Sequence, residues 1–242
     1  PMPVVVAVVS DGIGGHRAGE VASAIAVNSF SEMALASTGG NPLALFQESF
    51  YKISEEIFKQ AELDGTRKGM GATLSCAWVI GDVLYIAYAG DSRIYLLREG
   101  KIRQISRDHT WVQEAVEKGV LSSSQIKTHP NLHVIRRYLG SETPPEPDLR
   151  LFLSPNETDN KAKANQGLML QPGDVILLCT DGLTDLVNDS EIAQTMQGKT
   201  LNQAALALTD LANQRGGHDN ITIILLGMPF DKKQHKPGWV MG

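Results

Sequence analysis

Four aspartates each stand where an apolar run meets a glycine or asparagine turn: Asp11, Asp91, Asp181 and Asp219. Residues 4–9 lead into Asp11-Gly12-Ile13-Gly14-Gly15-His16, residues 84–89 into Gly90-Asp91-Ser92, and residues 175–180 into Asp181-Gly182. Gly216-Gly217-His218-Asp219-Asn220 opens onto residues 221–226. Taken singly, an aspartate-glycine pair is an ordinary turn. As a set on the tips of buried strands, the carboxylates can meet at one sheet edge, where they repel one another unless cations lie between them. No Cys-x-x-Cys accompanies them. Ligation by oxygen alone selects hard cations, Mg2+ or Mn2+, over zinc. Two such ions held close together lower the pKa of a shared water and clamp a phosphoryl group for in-line attack. That is hydrolysis without a covalent enzyme intermediate.

The chain has 242 residues, 42% hydrophobic and 20% charged, enough for a sizeable core in one domain or two. Its formal net charge of -5 and the absence of a basic patch argue against a nucleic-acid partner; Arg136-Arg137 is too short to make one. Cys76 and Cys179 both lie inside apolar runs and read as small core residues in a reducing compartment. No apolar stretch approaches a membrane span. The apolar start has no basic flank and no cleavage pattern, so it reads as a strand and not a signal peptide.

The elements that must position the aspartates follow from periodicity. Residues 18–36 read as a helix. Asn41-Pro42 supplies an N-cap and a first-turn proline. Leu43, Phe46, Phe50, Ile53, Ile57 and Ala61 follow in steps of three and four, so a second amphipathic helix runs from there to Asp64-Gly65. Residues 72–80, 83–89, 92–97 and 101–105 are short β-rich runs separated by Gly81-Asp82, Gly90-Asp91 and Glu99-Gly100. They predict an antiparallel meander. Residues 107–140 are polar, with short helical pieces, and read as an excursion from the sheet. Residues 141–171 carry prolines and a polar tract, 156–166, that reads as an exposed, mobile loop. A strand at 175–180, a short helix capped by Asp189, a helix at 201–215 and a last strand at 221–226 complete the order. Helices paired around blocks of strands argue for α+β, with antiparallel sheets covered by helices, over a doubly wound parallel sheet. The expected division is one domain over residues 1–228 and a polar tail over 229–242.

Six segments occur in an order that carries a resemblance: Val8-Val9-Ser10-Asp11-Gly12-Ile13-Gly14-Gly15-His16; Gly69-Met70-Gly71-Ala72-Thr73-Leu74; Ala89-Gly90-Asp91-Ser92-Arg93; Arg107-Asp108-His109-Thr110; Leu178-Cys179-Thr180-Asp181-Gly182-Leu183; and Gly217-His218-Asp219-Asn220-Ile221-Thr222. The chain resembles the metal-dependent protein phosphatases, the PPM or type 2C serine/threonine phosphatases, in their compact bacterial form. The resemblance implies a four-layer αββα sandwich of two antiparallel sheets flanked by helices. It implies that Asp11 bridges two Mn2+ or Mg2+ ions, that Gly12 gives one of them its carbonyl, and that Asp181 and Asp219 complete the catalytic set. Asp91 matches the ligand of a third, weaker ion, to which Asp181 also contributes. Asn220 matches a residue that fixes its turn, and residues 107–140 match a flap beside the site.

Three departures accompany the resemblance. The family has a strand upstream of the first aspartate, bearing a phosphate-binding arginine and an acidic residue of the metal shell. The expectation is that this chain begins after them, with a sheet edge left unpaired and substrate bound weakly. Ile13 stands where relatives outside bacteria carry histidine, which makes water the expected proton donor. The connection over residues 154–166 is longer than usual.

Bland readings compete at several positions. His16 fits a structural role in its glycine turn, and His109, His129 and His133 read as solvated or structural flap residues. Arg93 and Arg136 read as surface ion-pair partners before phosphate ligands. Gly14-Gly15 lacks the flanking pattern of a nucleotide loop. Asp185 and Asp189 lie near Asp181, and capping explains Asp189. The leading function is hydrolysis of phosphoserine and phosphothreonine on proteins. It is expected of a cytoplasmic monomer opposing a serine/threonine kinase, without nucleic-acid or membrane partners. The alternatives are a phosphatase of small phosphoesters and a catalytically weak phosphatase-like domain that binds a partner.

Overall fold

The computed structural model describes residues 3–229. In chain order its elements are β1 (Val4–Val9), β2 (Gly12–Ile13), α1 (His16–Ala36), α2 (Pro42–Leu63), β3 (Gly71–Ala72), β4 (Leu74–Ile80), β5 (Val83–Ala89), β6 (Arg93–Arg98) and β7 (Lys101–Gln104). There follow α3 (Trp111–Glu117), α4 (Asp159–Ala164), β8 (Leu168–Met169), β9 (Val175–Cys179), α5 (Asp181–Thr184), α6 (Asp189–Met196), α7 (Leu201–Gln214) and β10 (Ile223–Gly227). The first sheet has the order β1-β4-β5-β8 and the second β10-β9-β6-β7, with β2 and β3 forming a separate ribbon. Every pairing is antiparallel.

Alternation along the strands builds three cores from these two sheets, because successive side chains point to opposite faces. On β4, Leu74, Cys76 and Trp78 face α1 and α2, while Ala77 and Val79 face the other sheet. On β9, Ile176 and Leu178 face inward, while Val175, Leu177 and Cys179 meet α5, α6 and α7. The result is the α+β sandwich, helices outside and sheets within. Both cysteines are free and buried, and burial pushes both thiols up, Cys179 to about 12. No helix among the described residues is long and apolar enough to cross a membrane.

Helix α2 starts as its sequence dictates, with Asn41 accepting from the Ala44 N–H at 3.2 Å. Its Phe46 is fully buried, 6.2 Å from Phe30 and edge-on to Trp78 at 6.3 Å. Truncating such a ring leaves a cavity that a packed core does not refill. Phe46→Ala should therefore lower stability by about 3–5 kcal/mol in urea unfolding. A loss under about 1 kcal/mol would show that this outer core can collapse around the gap.

Three expectations are corrected here. The four β-rich runs do not form one meander, because β4 and β5 belong to the first sheet while β6 and β7 belong to the second. The polar tract over residues 156–166 is not a loose loop. It contains α4 and is tied down by Gln166, whose side chain accepts from the Ile86 N–H and donates to the carbonyls of Ile86 and Leu149. Asn188, not Asp189, caps α6, through a reciprocal box with Glu191; Asp189 instead accepts from the Tyr95 hydroxyl at 3.0 Å. Of the tail expected over residues 229–242, residues 230–242 lie outside the described residues.

Candidate metal centre

Asp11 follows β1 and is fixed through its backbone. Its N–H donates to Thr73 Oγ1 at 2.8 Å and its carbonyl accepts from the Thr73 N–H at 2.8 Å. Its side chain accepts from the Gly12 N–H at 2.9 Å. Gly12 pairs with Ala72, and a Cβ there would meet the Gly19 carbonyl oxygen at 2.1 Å. Only glycine lets α1 close over this turn.

Asp181 opens α5 directly after β9, and Asp219 lies in the turn before β10. Thr180 ties these two tips together. Its hydroxyl donates to the Asn220 carbonyl at 3.2 Å and accepts from the Thr222 N–H at 3.1 Å. Asp219 accepts from the Asn220 N–H at 2.7 Å, so asparagine's backbone sets the turn.

The three carboxylates converge. Asp11, Asp181 and Asp219 each offer an oxygen, and these oxygens lie within 4.8 Å of one another. Burial, then the charge and contact of Asp181 and the charge of Asp219, raise the Asp11 carboxyl from 3.8 to about 7. Asp181 Oδ1 is buried and has no hydrogen-bond donor among the described residues. Two carboxylates offer each other no donor, so a proton shared with Asp11 is one answer to that oxygen and a cation is the other. An all-oxygen set with an orphaned lone pair fits a hard divalent ion.

Asp91 does not join that cluster. It lies at the turn where the chain leaves β5 and enters β6, and it is buried. Burial first, then the charges of Asp181, Asp108 and Asp11, raise its carboxyl to about 8. A second group, His133, Asp181 and Asp185, also brings ligand atoms within 4.8 Å of one another, with His133 Nδ1 3.5 Å from Asp185 Oδ2. The sequence singled out neither residue for this role. His133 comes from the segment over residues 107–140, and its approach depends on how that segment folds back, which leaves no periodic signal. The spacing of Asp185, one helical turn after Asp181, was the available clue.

Arg93 is an ion-pair partner, part-buried and not at the open surface. It meets Asp108 through Nε at 3.0 Å and Nη2 at 2.7 Å and donates to the Tyr95 hydroxyl at 3.2 Å. Asp108 also accepts from Gln104 Nε2 at 2.7 Å, so this guanidinium is committed to the protein. Arg136 is exposed and makes no ion pair among the described residues. His129 stacks on Trp111 at 4.7 Å. The His16 side chain lies outside the described residues.

The family model for protein phosphatase 2C matches residues 2–207. The chain is 34% identical over 226 residues to the serine/threonine phosphatase stp of Listeria innocua, covering 91% of this chain and 83% of that one. Its structure matches that of the S. agalactiae serine/threonine phosphatase with a TM-score of 0.80 at 32% identity, covering 93% of this chain and 88% of the other. It also matches the catalytic domain of the serine/threonine protein phosphatase PstP in complex with 2 manganese ions, with a TM-score of 0.77 at 31% identity over 93% of this chain and 88% of that one.

Proposed function

This chain belongs to the protein phosphatase 2C family, and on that premise we propose that Asp11, Asp181 and Asp219, with the Gly12 carbonyl, hold two Mn2+ or Mg2+ ions for hydrolysis of phosphoserine and phosphothreonine on proteins. The enzyme is a metal-dependent serine/threonine phosphatase. The observation that carries the site is the meeting of three carboxylates within 4.8 Å around a buried oxygen with no donor. Cations bound there acidify a water and neutralise charge on the phosphoryl group. The protein's own part is to hold Asp11 between the other two carboxylates from a turn whose backbone is locked to Thr73. Asp91 serves a third, weaker ion. Ile13 brings no proton to the turn after Asp11, so the leaving seryl oxygen takes its proton from water. The catalytic domain spans residues 1–228, and the flap over 107–140 selects among phosphoproteins. The enzyme acts as a monomer in the cytoplasm, against a serine/threonine kinase.

The test compares a phosphothreonyl peptide with a small aryl phosphate and with sugar phosphates. Hydrolysis should require Mn2+ or Mg2+, stop in EDTA, and show the higher kcat/KM on the peptide. A higher kcat/KM on a sugar phosphate would move the assignment to small phosphoesters. No turnover with any of them, in excess Mn2+, would favour a partner-binding domain.

A further inference from the structure

His109 is buried at 6% exposure, at the root of the flap, against the turn that carries Asp91. It satisfies both polar groups of Gly90. The His109 backbone N–H donates to the Gly90 carbonyl at 2.9 Å, and the ring Nδ1 accepts from the Gly90 N–H at 3.1 Å. Gly90 needs such a partner, because its φ of +111 takes it out of the strand ladder as the chain changes sheets. A backbone N–H can only donate, so Nδ1 carries no proton and the ring proton is on Nε2. Nε2 then donates to Asp148 Oδ2 at 3.0 Å.

Asp148 is itself buried and fixed. Its backbone exchanges hydrogen bonds with Tyr88 at 2.9 and 3.1 Å, and Arg150 Nε donates to its carboxylate at 2.9 Å. The His109 ring stacks on Tyr88 at 5.3 Å and 18°. Burial lowers the His109 pKa in spite of Asp148, which agrees with a neutral ring. On its other side the His109 carbonyl accepts from the Arg136 N–H at 2.7 Å. The next residue, Thr110, bridges Ile135, so both legs of the flap start here.

We propose that His109 is a positioning residue: with its tautomer set by Asp148, it holds the Gly90-Asp91 turn in place for cation binding and ties that turn to the two legs of the flap. The proposal rests on the reading of Asp91 as a ligand of the weaker ion. The two bonds to Gly90 anchor the backbone that carries Asp91. A carboxylate that must meet an ion loses affinity when its orienting partners go, typically by about 10–100-fold.

Two substitutions separate the ring's two bonds. Asparagine places an amide oxygen near the position of Nδ1 and keeps an acceptor for Gly90. Glutamine reaches toward Asp148 and leaves the Gly90 N–H unmet. Mn2+ titration by calorimetry should show the weaker binding event reduced about tenfold or more in His109→Gln and near wild type in His109→Asn, with the tighter ions unchanged in both. Amide hydrogen exchange at Gly90 should be faster in His109→Gln alone. Long-range 15N–1H spectra of the wild type should show the Nε2–H tautomer. Equal losses in both variants, unchanged exchange at Gly90, or an Nδ1–H tautomer would each overturn the proposal. Asp91→Ala is the control: if it leaves the weaker event intact, the reading of Asp91 fails, and the exchange rate at Gly90 still decides whether His109 holds the turn.

Discussion

Replacing Asp11 by asparagine should lower kcat/KM on a phosphothreonyl peptide by about 10³-fold or more, roughly 4 kcal/mol of transition-state stabilisation. Asp11 is the carboxylate that feels both of the others, since Asp181 and Asp219 each raise its pKa. Removing its charge should therefore weaken the hold of the three-carboxylate cluster on cations. The fold has little reason to change. The bonds that fix the turn run through the Asp11 backbone to Thr73, and an amide oxygen can still accept from the Gly12 N–H. In EDTA the variant should be as stable as the parent or more so, because it relieves repulsion that the parent retains. Steady-state kinetics with matched urea unfolding checks both halves. Activity within tenfold of the parent would remove Asp11 from the centre of the site.

The second large effect is a dependence of stability on pH that divalent cations abolish. Burial and neighbouring carboxylates raise Asp11 from 3.8 to about 7 and Asp91 from 3.8 to about 8. Asp185 moves in the same direction, through burial and Asp181. Between pH 4 and 8 the folded protein without cations thus keeps protons that the unfolded chain has released. More protons on the folded state means that stability falls as pH rises through that window. The penalty is absent below the unfolded pKa and complete above the folded ones. Asp148 has the opposite sign: burial raises it, but bonds from His109 and Arg150 outweigh that and hold it low, so its contribution is lost only in acid. Urea unfolding in EDTA should lose on the order of 2–4 kcal/mol from pH 5 to pH 8.5, after discounting for solvent screening of the partly exposed Asp11. Excess Mg2+ should flatten the curve, with its largest stabilisation at the alkaline end. A flat or rising profile in EDTA would mean that the carboxylates do not repel as their placement requires.

The sequence carried the aspartate positions well, because each is written as an apolar run ending in a turn residue, and such a run has one natural place in a sandwich. It carried α2 equally well, through Asn41-Pro42 and the spacing from Leu43 to Ala61. The switch between sheets was not legible. Residues 84–89 and 94–97 carry no charged side chain, so period two is hidden, and Gly90-Asp91 looks like any other hairpin turn. The ordered course of residues 156–166 was hidden for a different reason. Gln166 makes its bonds to backbone groups eighty and seventeen positions away, and composition does not encode such partners. Three of the four aspartates share one cluster, while Asp91 stands apart from it, buried at the crossing point. His109 read as a structural histidine, and nothing in its neighbours announces that its ring completes the hydrogen bonding of Gly90.

Asp11 ends a strand of the first sheet, whereas Asp181 and Asp219 flank paired strands of the second. The interior between those sheets is largely apolar, and such packing resists separation but gives little direction to sliding. An ion held by carboxylates from both sides would act as a rivet at the rim of the sandwich. Shear of one sheet against the other would pull its ligands apart, and the ion resists it. Held there, the cofactor would also be a fastener, and the two halves of the molecule would gain mechanical unity from it.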